Sequence, residues 1–411
     1  MRALARIRPA GTLLSVSMLI LPACRDNPGS PTGPGPAPAV ATAASAPLTF
    51  RQVSGGSSYN CGLTADGVVY CWGVNNLGQL GDGTLDDHPT PAPISGGRRF
   101  RQVDAGGGHA CGIATDDRTY CWGWNNVGQL GDGTRADRSL PTAVVGAPRF
   151  RQLSAGIFHT CGVTPNGRVY CWGINKQGQL GDGSDVPRRL EPVQVATDQR
   201  FRVVSVGGSH TCGITLDDRA FCWGHGKSGE LGNGRTLIRK TPTAVAGGLR
   251  FREIAAGETQ RSGNWLFTCG ITTEDRAYCW GGNLDGQLGD GTITRRLRPA
   301  AVAGGLRFST VSAGGSFTCG VTTANAAYCW GRDDHGQLGD GGPTGDPNAK
   351  RLSPVPVTGG LALTAVSAGW LHTCGVATDG AAHCWGSNFS GELGDGTEVE
   401  SSVPVAVLGP S

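Results

Sequence analysis

Four short segments with strand-like patterning recur along the chain. The first is a Pro-Val stretch such as Pro192–Val195, and the others in the third copy are Phe150–Ala155, Thr160–Thr164 and Val169–Gly173. All are rich in β-branched or aromatic residues and are bounded by Gly, Pro, Asn or Asp, whereas no stretch shows helical periodicity. The set recurs seven times over residues 49–411 with a period near fifty residues. This pattern predicts an all-β, seven-bladed β-propeller of four-stranded antiparallel blades.

Two of these segments should form a hairpin around a three-residue loop, which is 165–167 in the third copy. The last residue of such a loop must adopt the left-handed conformation, and all seven copies place Gly, Asn or Asp there. Counting outward from the loop predicts three cross-strand pairs: Val163 with Val169, Gly162 with Tyr170 and Cys161 with Cys171. In this register we expect the Tyr170 ring to cover the bare Gly162.

Each copy carries two cysteines ten positions apart. The predicted register places both at a non-hydrogen-bonded position, where Cα atoms come within disulfide range. Two alternatives are reduced buried thiols, which an export signal disfavours, and zinc, whose structural sites use more closely spaced cysteines. We therefore predict seven disulfides: Cys61–Cys71, Cys111–Cys121, Cys161–Cys171, Cys212–Cys222, Cys269–Cys279, Cys319–Cys329 and Cys374–Cys384. The Trp after each second cysteine is expected in the core, because both faces of a blade are apolar.

The two ends of the repeat array suggest how the ring closes. The first copy has no Pro-Val segment before Phe50, and the last copy is followed by one, Val403–Val407. We therefore expect the C-terminal strand to complete the first blade. Closure of this kind removes exposed sheet edges, which would otherwise favour aggregation.

The amino terminus has the pattern of an export signal. Arg2, Arg6 and Arg8 precede an apolar run over 13–21 that is too short to span a bilayer. The run ends in Leu-Pro-Ala-Cys24, which resembles the bacterial lipobox. We expect a lipoprotein signal peptide over 1–23, lipidation of Cys24, a Pro/Gly/Ala-rich tether over 24–48 and the propeller over 49–411. The alternative is an ordinary signal peptide cut nearby, and the expected location is the cell envelope, lipid-anchored on the extracytoplasmic side, or secreted.

Charge and composition limit the classes of partner that we expect. The net charge is +3, and 69 glycines recur at fixed turn positions. Without the three arginines of the export signal the basic and acidic residues balance, so no nucleic acid is expected as a partner. We expect a monomer that meets the membrane only through its lipid.

Two motifs lie beside the cysteines: Cys-Trp-Gly-x-Asn-x-x-Gly-Gln-Leu-Gly-Asp-Gly over 71–83, with copies from 121 and 171, and Ala-Gly-x-x-His-Thr-Cys-Gly over 155–162. They resemble repeats of the regulator of chromosome condensation family, across residues 49–411. The resemblance implies a seven-bladed propeller. The founding member is a nuclear nucleotide-exchange factor for a small GTPase. Nucleotide-exchange activity is therefore one function that the resemblance implies, although an exported protein would not meet a cytosolic GTPase. Other members bind proteins.

Repeated polar residues favour structural roles over chemistry. Histidine stands two residues before the first cysteine in four copies (His109, His159, His210, His372), but aromatic residues replace it in three, which favours packing or a hydrogen bond over metal binding. The Asp of Gly-Asp-Gly gives one carboxylate per loop, too few for calcium, and favours turn stabilisation. We expect neither metal nor cofactor, and no familiar catalytic motif appears.

Departures from the repeat mark a candidate binding face. The loops before Thr-Cys-Gly and after Cys-Trp-Gly should share one face, because strands alternate in direction. Insertions near 258–266 and 342–350 fall there, with basic residues in the middle copies and Asp86, Asp87, Glu398 and Glu400 in the outer ones. The candidate binding residues are Trp124, Arg261, Trp265, Trp370, Arg189, Arg239 and Arg296. We expect this face to bind a protein or glycan; the alternatives are an envelope enzyme with its active site there and a purely structural repeat protein.

Overall fold

The computed structural model describes residues 48–257 and 266–410. These residues form seven four-stranded antiparallel sheets, and strands adjacent in sequence are adjacent in each sheet. The predicted signal peptide, Cys24, nearly all of the tether, Arg261 and Trp265 lie outside the described residues. Within them, the helical content is one 3₁₀ turn at Thr358–Gly360, and no helix has the length and apolarity to cross a membrane. The all-β, seven-bladed prediction is confirmed.

Each sheet is one blade, and blades one to seven follow the chain. The first strands are Gln52–Gly55, Phe100–Ala105, Gln152–Ala155, Phe201–Val206, Phe251–Ala256, Phe308–Ala313 and Leu363–Ala368. The second strands are Tyr59–Leu63, His109–Ala114, His159–Val163, His210–Thr215, Phe267–Thr272, Phe317–Thr322 and His372–Ala377. The third strands are Val69–Gly73, Thr119–Gly123, Val169–Ile174, Ala220–Gly224, Ala277–Gly281, Ala327–Arg332 and Ala382–Gly386. The fourth strands are His88–Pro93, Arg138–Ala143, Arg188–Gln194, Arg239–Ala244, Arg296–Ala301, Lys350–Pro356 and Ser401–Ala406.

The hairpin register is as predicted. In blade three Cys161 lies opposite Cys171, and Gly162 lies opposite Tyr170. The residue that ends the loop has a positive φ in every blade, including the non-glycine residues Asp117, Asp218, Asp275 and Asn325. All seven disulfides form within their own hairpins, with Cα atoms 4.0–4.1 Å apart. The loop therefore determines the register, and the register brings the sulfur atoms together.

The core lies between neighbouring blades. Val163, Cys171 and Leu180 of blade three pack against Phe201 and Trp223 of blade four. Equivalent clusters lie between the other blades, and the seven recurring tryptophans are fully buried, as predicted. Because every blade contributes one half of two such clusters, no blade could bury its apolar surface alone.

The residue that covers Gly162 differs from the prediction. A Cβ atom at Gly162 would lie 2.6 Å from Cδ1 of Phe150, which lies two residues before the first strand, so the Phe150 ring and not Tyr170 occupies that space. Tyr170 instead meets the edge of Phe150, with ring centroids 6.2 Å apart. The bare glycine allows a ring from the adjacent strand to pack directly onto the sheet.

The prediction that the C-terminal strand completes blade one is wrong. Ser401–Ala406 pairs with the third strand of its own blade, where Val405 lies opposite Cys384. Each Pro-Val segment is thus the fourth strand of the blade that it follows, and blade one uses His88–Pro93. The physical reason is the loop after Trp-Gly, which folds back on itself and returns the chain to the strand it has just left.

The ring closes through side-by-side contacts that repeat those between the other blades. At a typical junction, Nε2 of His109 lies 2.8 Å from Oγ1 of Thr160, which donates to the Gln129 carbonyl. Between blades seven and one, Asn60 takes the place of the threonine. Its Oδ1 lies 2.9 Å from Nε2 of His372, and its Nδ2 donates to the Glu392 carbonyl at 2.7 Å. Asn60 therefore satisfies both partners at the closing junction.

The Asn60→Ala variant should weaken this junction. It leaves the ring nitrogen of His372 without its partner inside a buried site, and we expect a loss of about 2–3 kcal/mol of unfolding free energy. Asn60→Thr recreates the ordinary junction and should cost less than about 1 kcal/mol. Urea unfolding followed by tryptophan fluorescence measures both. Equal losses for the two variants would show that these hydrogen bonds do not hold the ring closed.

Candidate binding face

Two loops of each blade meet at one end of the propeller, as predicted. The backbone N–H of Val74, after the third strand, donates to the carbonyl of Ser58, between the first two strands, at 2.9 Å. The same bond joins Trp124 to Gly108 and Ile174 to Phe158. We call the surface formed by these paired loops the loop face. Because the loops are bonded to each other, their side chains are held on a rigid framework.

Trp124 and Trp370 both lie on the loop face and are half-buried. The Trp124 ring meets the edge of Phe158 from blade three, with ring centroids 5.6 Å apart. Trp370 covers Gly315 of blade six, where an added Cβ would lie 2.3 Å from its Cδ1. Each tryptophan therefore bridges two blades and still presents part of its ring to solvent, which suits a contact residue in an interface.

In blades two, three and five the long loop is built around a polar triad of Asn, Asp and Arg, and in blade one His88 takes the place of the arginine beside Asp82. In blade two, Nδ2 of Asn125 donates to Asp132 at 3.0 Å, and Nε of Arg138 donates to the same carboxylate at 2.8 Å. Burial of Asp132 would raise its pKa, but hydrogen bonds from Thr134 and Arg138 outweigh burial and lower the pKa. The Asp of Gly-Asp-Gly thus stabilises its turn, as predicted.

The triad explains two of the candidate arginines. Arg189 donates to Asp182 at 2.8 Å, and Arg296 donates to Asp290 at 2.7 Å. Both side chains are about one-third exposed, so they hold their own loops while part of each guanidinium faces solvent.

Blade four breaks the triad. Gly226 replaces the asparagine, Asn233 replaces the aspartate, and Arg239 remains at the register position of the other arginines, opposite Gly224. Over the described ranges, neither Nε of Arg239 nor Nδ2 of Asn233 has a hydrogen-bond acceptor. Arg239 is therefore a guanidinium whose internal counter-charge has been replaced by a neutral amide.

Blades six and seven depart from the triad in the opposite direction, towards negative charge. Asp333 of blade six replaces the asparagine, and burial together with the nearby Asp340 carboxylate raises the pKa of Asp333 to about 6. In blade seven Ser401 replaces the arginine, opposite Gly386. Asp86, Asp87 and Glu398 are exposed on the adjoining loops of blades one and seven. The loop face thus carries its excess positive charge on blade four and its excess negative charge on blades six, seven and one.

The structure adds contact residues that sequence reasoning missed. Phe389 is 64% exposed on the loop face, and its ring lies 5.4 Å from that of His335. The sequence contained a signal for Phe389, because the equivalent position holds Asn or Lys in blades one to four and holds Phe only in blade seven. Leu237 and Ile293, at the outer rim of the same face, are 54% and 51% exposed.

The repeated histidines lie away from this face, between blades. His109 and His159 are fully buried, and burial lowers the pKa of each to about 3. Their Nε2 atoms contact threonine hydroxyls of the next blade, so the predicted packing and hydrogen-bonding role is confirmed.

The first strands line a narrow central channel of about 120 Å³. Serine recurs on its wall, and its hydroxyl accepts a backbone N–H from the next blade, as from Val206 to Ser154. In blade two Asp104 takes this place and accepts from Ala155 at 2.8 Å. Surrounding protein raises the pKa of Asp104 to about 6. This carboxyl is one of the few that would be partly protonated just below neutral pH.

Seven repeated four-stranded blades, with two loops of each blade bonded together at one end, define the class of seven-bladed β-propeller repeat proteins. The regulator of chromosome condensation (RCC1) repeat model matches the chain in six segments: 66–113, 116–163, 166–214, 217–260, 274–321 and 325–376. The chain belongs to this family.

Curated relatives match part of the chain. Ultraviolet-B receptor UVR8 of Arabidopsis thaliana is 32% identical over 226 residues, which are 53% of this chain and 48% of the receptor. E3 ubiquitin-protein ligase HERC2 of Homo sapiens is 30% identical over 198 residues, which are 47% of this chain and 4% of the ligase. The match therefore spans about half of the receptor and a small part of the ligase.

Solved structures agree with the fold. Prp20p from Saccharomyces cerevisiae has a TM-score of 0.73 and 23% identity, with 84% of this chain and 87% of that chain covered. Human WBSCR16 has a TM-score of 0.70 and 20% identity, with 82% and 89% covered. At this level of identity the likeness establishes the fold alone.

Proposed function

We propose that this protein is a lipid-anchored, extracytoplasmic scaffold that binds a partner protein through its loop face. The observation that carries the proposal is the set of partly exposed aromatic side chains on that face: Trp124, Trp370 and Phe389. The two tryptophans bridge blades, so little conformational entropy is lost when a partner covers them. Tryptophan is among the residues that contribute most to protein interfaces.

A protein partner fits this surface better than a glycan does. Leu237 and Ile293 at the rim are aliphatic and more than half exposed, and they offer no hydrogen bonds to sugar hydroxyls. Interleaved guanidinium and aliphatic groups are typical of protein interfaces. Among relatives of the same fold, Prp20p has been studied for its binding to Gsp1p and histones, and yeast RCC1 (Prp20) has been solved with Kap60 bound. Binding of proteins by this fold supports a similar role here.

The extracytoplasmic location rests on two features of the chain. Seven disulfides are supported by an oxidising compartment and disfavoured by a reducing one. The residues before Cys24 have the pattern of a lipoprotein signal. A lipid on Cys24 followed by the Pro/Gly/Ala-rich tether would hold the propeller a short distance from the membrane.

The proposal is tested by capture of the partner from a cell-envelope extract with the tagged full chain. Alanine at Trp124, Trp370 or Phe389 should lower the captured amount by about tenfold or more, as expected when an interface hot spot is truncated. Quantitative mass spectrometry of the captured proteins gives the ratio, and thermal melting confirms that each variant is folded.

The matched control is Leu216→Ala. Leu216 is 61% exposed in a hairpin loop at the opposite end of blade four, so its truncation should leave capture unchanged. Unchanged capture by all three loop-face variants would reject the loop face as the binding surface. In the same cells, Cys24→Ala should move the protein from the membrane fraction to the soluble fraction.

A further inference from the structure

We infer that the loop of blade four, together with the groove that it shares with blade five, binds an acidic peptide segment of the partner. The inference rests on the proposed function and states the chemistry of the partner at one part of the loop face. The residues concerned are Asn233, Arg235 and Arg239 of blade four and Arg295 and Arg298 of blade five. We call this set the basic notch.

The first argument is the missing carboxylate. In blades two, three and five an aspartate neutralises the arginine of the triad, at 2.7–2.8 Å. The Asn233 amide has the shape of that aspartate, and its Oδ1 accepts the Arg235 N–H at 2.9 Å as the aspartate does elsewhere. The amide brings no charge, so within the described residues Arg239 lacks the internal carboxylate of its triad, and its Nε has no acceptor. A carboxylate from outside would supply the negative charge that this triad lacks.

The second argument is the groove beside the blade four loop. A groove of about 480 Å³ runs between Gly234 and the outer strand of blade five, with Arg295 and Arg298 on its wall. An added Cβ on Gly234 would lie 3.1 Å from Nε of Arg298, so this arginine directly adjoins the blade four loop. Arg235 is exposed beside it. Arg295 and Arg298 therefore line one groove beside the blade four loop that carries Arg235, and Leu237 and Ile293 are exposed on the same loops.

The equivalent groove between blades two and three shows that this charge is local. It is lined by Gly133 and Arg189, but Glu191 stands where blade five has Arg298. An added Cβ on Gly133 would lie 3.4 Å from the carboxylate of Glu191. That groove therefore has a carboxylate in place of the extra arginine. Arg138, which is the equivalent of Arg239 in the loop beside it, is paired with Asp132. The groove between blades two and three is thus an internal control that lacks the extra positive charge.

A peptide fits the basic notch better than an anionic lipid surface does. Arg239 is half-buried with its Nε inaccessible, so a flat bilayer would reach the exposed Arg235, Arg295 and Arg298 but not Nε of Arg239. An extended peptide can place one carboxylate at Arg239 and the next acidic side chains along the groove. Aliphatic residues of the same peptide would cover Leu237 and Ile293.

The test uses the full chain and a fluorescein-labelled decapeptide of alternating Glu and Leu, with fluorescence anisotropy at low salt. The Gln-Leu decapeptide and vesicles of phosphatidylglycerol are the comparison probes. We expect the Glu-Leu peptide to bind at least about tenfold more tightly than the Gln-Leu peptide. Its affinity should fall as salt rises, because added ions screen charge pairs.

The decisive variant is Asn233→Asp, which restores the internal partner of Arg239. It should lower the affinity for the Glu-Leu peptide by about tenfold while leaving the protein folded, since blades two, three and five carry the same pair. Asn126→Asp adds the same charge to the loop face of blade two and should leave the affinity within about twofold. Arg239→Gln should match Asn233→Asp.

The outcomes separate this inference from the proposed function. Equal binding of the two peptides, equal loss with Asn126→Asp, or preferential binding to phosphatidylglycerol vesicles that persists in Asn233→Asp would overturn the acidic-peptide site. Tryptophan-dependent capture of a partner could still hold in each of these cases. If capture does not depend on Trp124, Trp370 and Phe389 but the peptide still binds, the proposed surface is rejected and the inference of the basic notch stands.

Discussion

Once its disulfides are reduced, the unfolded chain should not regain the propeller after removal of urea. The fourteen hairpin cysteines are fully buried, and each pair closes a hairpin with a sequence separation of 10. Closing a loop of this size stabilises a folded chain by about 2–3 kcal/mol. Seven such links would sum to about 14–21 kcal/mol, which matches or exceeds the whole stability of a typical domain, about 5–15 kcal/mol. Without them the conformational entropy of seven open hairpins should outweigh the packing between blades.

The measurement compares two refolding reactions, one with the disulfides intact and one with excess thiol present throughout. The near-ultraviolet signal of the seven buried tryptophans reports native packing. The folded protein should resist the same thiol, because the sulfur atoms are inaccessible to attack. As a graded control, Cys161→Ala combined with Cys171→Ala should cost about 2 kcal/mol. A reduced chain that refolds with the native spectrum would contradict the prediction.

Acid should destabilise the propeller well before its surface carboxylates titrate. In an unfolded chain histidine has a pKa near 6.5. Burial lowers the pKa to about 3 in His109 and His159 and to about 4 in His210 and His372. Between these values the unfolded chain binds more protons than the folded chain, so the unfolding free energy falls as the pH drops below 6.5. At pH 5 the loss is about 2 kcal/mol for each histidine.

Carboxyls with raised pKa values oppose this loss with the reverse sign. The pKa of Asp104 and of Asp333 is raised to about 6, so the folded chain takes up these protons before the unfolded chain does. This stabilisation grows as the pH falls from 7 towards 4, by about 1 kcal/mol for each group at pH 5. Burial also raises the pKa of Glu253 and Glu392, which adds in the same direction. Four histidines outweigh these groups, and we expect a net loss of about 3–5 kcal/mol between pH 7 and pH 5.

Urea unfolding at both pH values measures the loss. The repeat supplies the control, because Phe267 and Phe317 occupy the histidine position in blades five and six. His159→Phe combined with His210→Phe should remove about half of the histidine contribution. The partner threonines of these two histidines, Thr211 and Thr268, keep their bonds to the carbonyls of Gln179 and Glu230. A stability that is unchanged between pH 7 and pH 5 would show that the histidines do not titrate as their burial requires.

The same repeat that builds the scaffold also reveals its specialised parts. Where the Asn-Asp-Arg triad is complete, as in blades two, three and five, the loop is electrically balanced. Blade four has lost the aspartate of the triad, blade seven has lost the arginine, and blade six has gained a carboxyl. Each change leaves a charge or a proton that the fold itself does not need. Such departures are the places where a partner, or a change of pH, can act on an otherwise uniform ring.

What the amino-acid sequence by itself determined is the local architecture of one blade. The three-residue loop needs Gly, Asn or Asp at its last position, and that requirement sets the pairing of Cys161 with Cys171 and the burial of the adjacent tryptophan. These contacts lie within about ten residues of one another, so turn geometry alone specifies them. Seven repetitions of the pattern then lead to a seven-bladed ring.

Only the tertiary structure decided what joins one blade to another. A strand after a loop of more than ten residues can pair backwards or forwards, and the folding of that loop placed Ser401–Ala406 beside its own blade. The same long-range packing put Phe150 over Gly162 and paired Arg189 with Asp182, and among the described residues it left Arg239 without a carboxylate. Residue types identify the candidates, but pairing and exposure depend on which side chains the fold brings within a few ångströms.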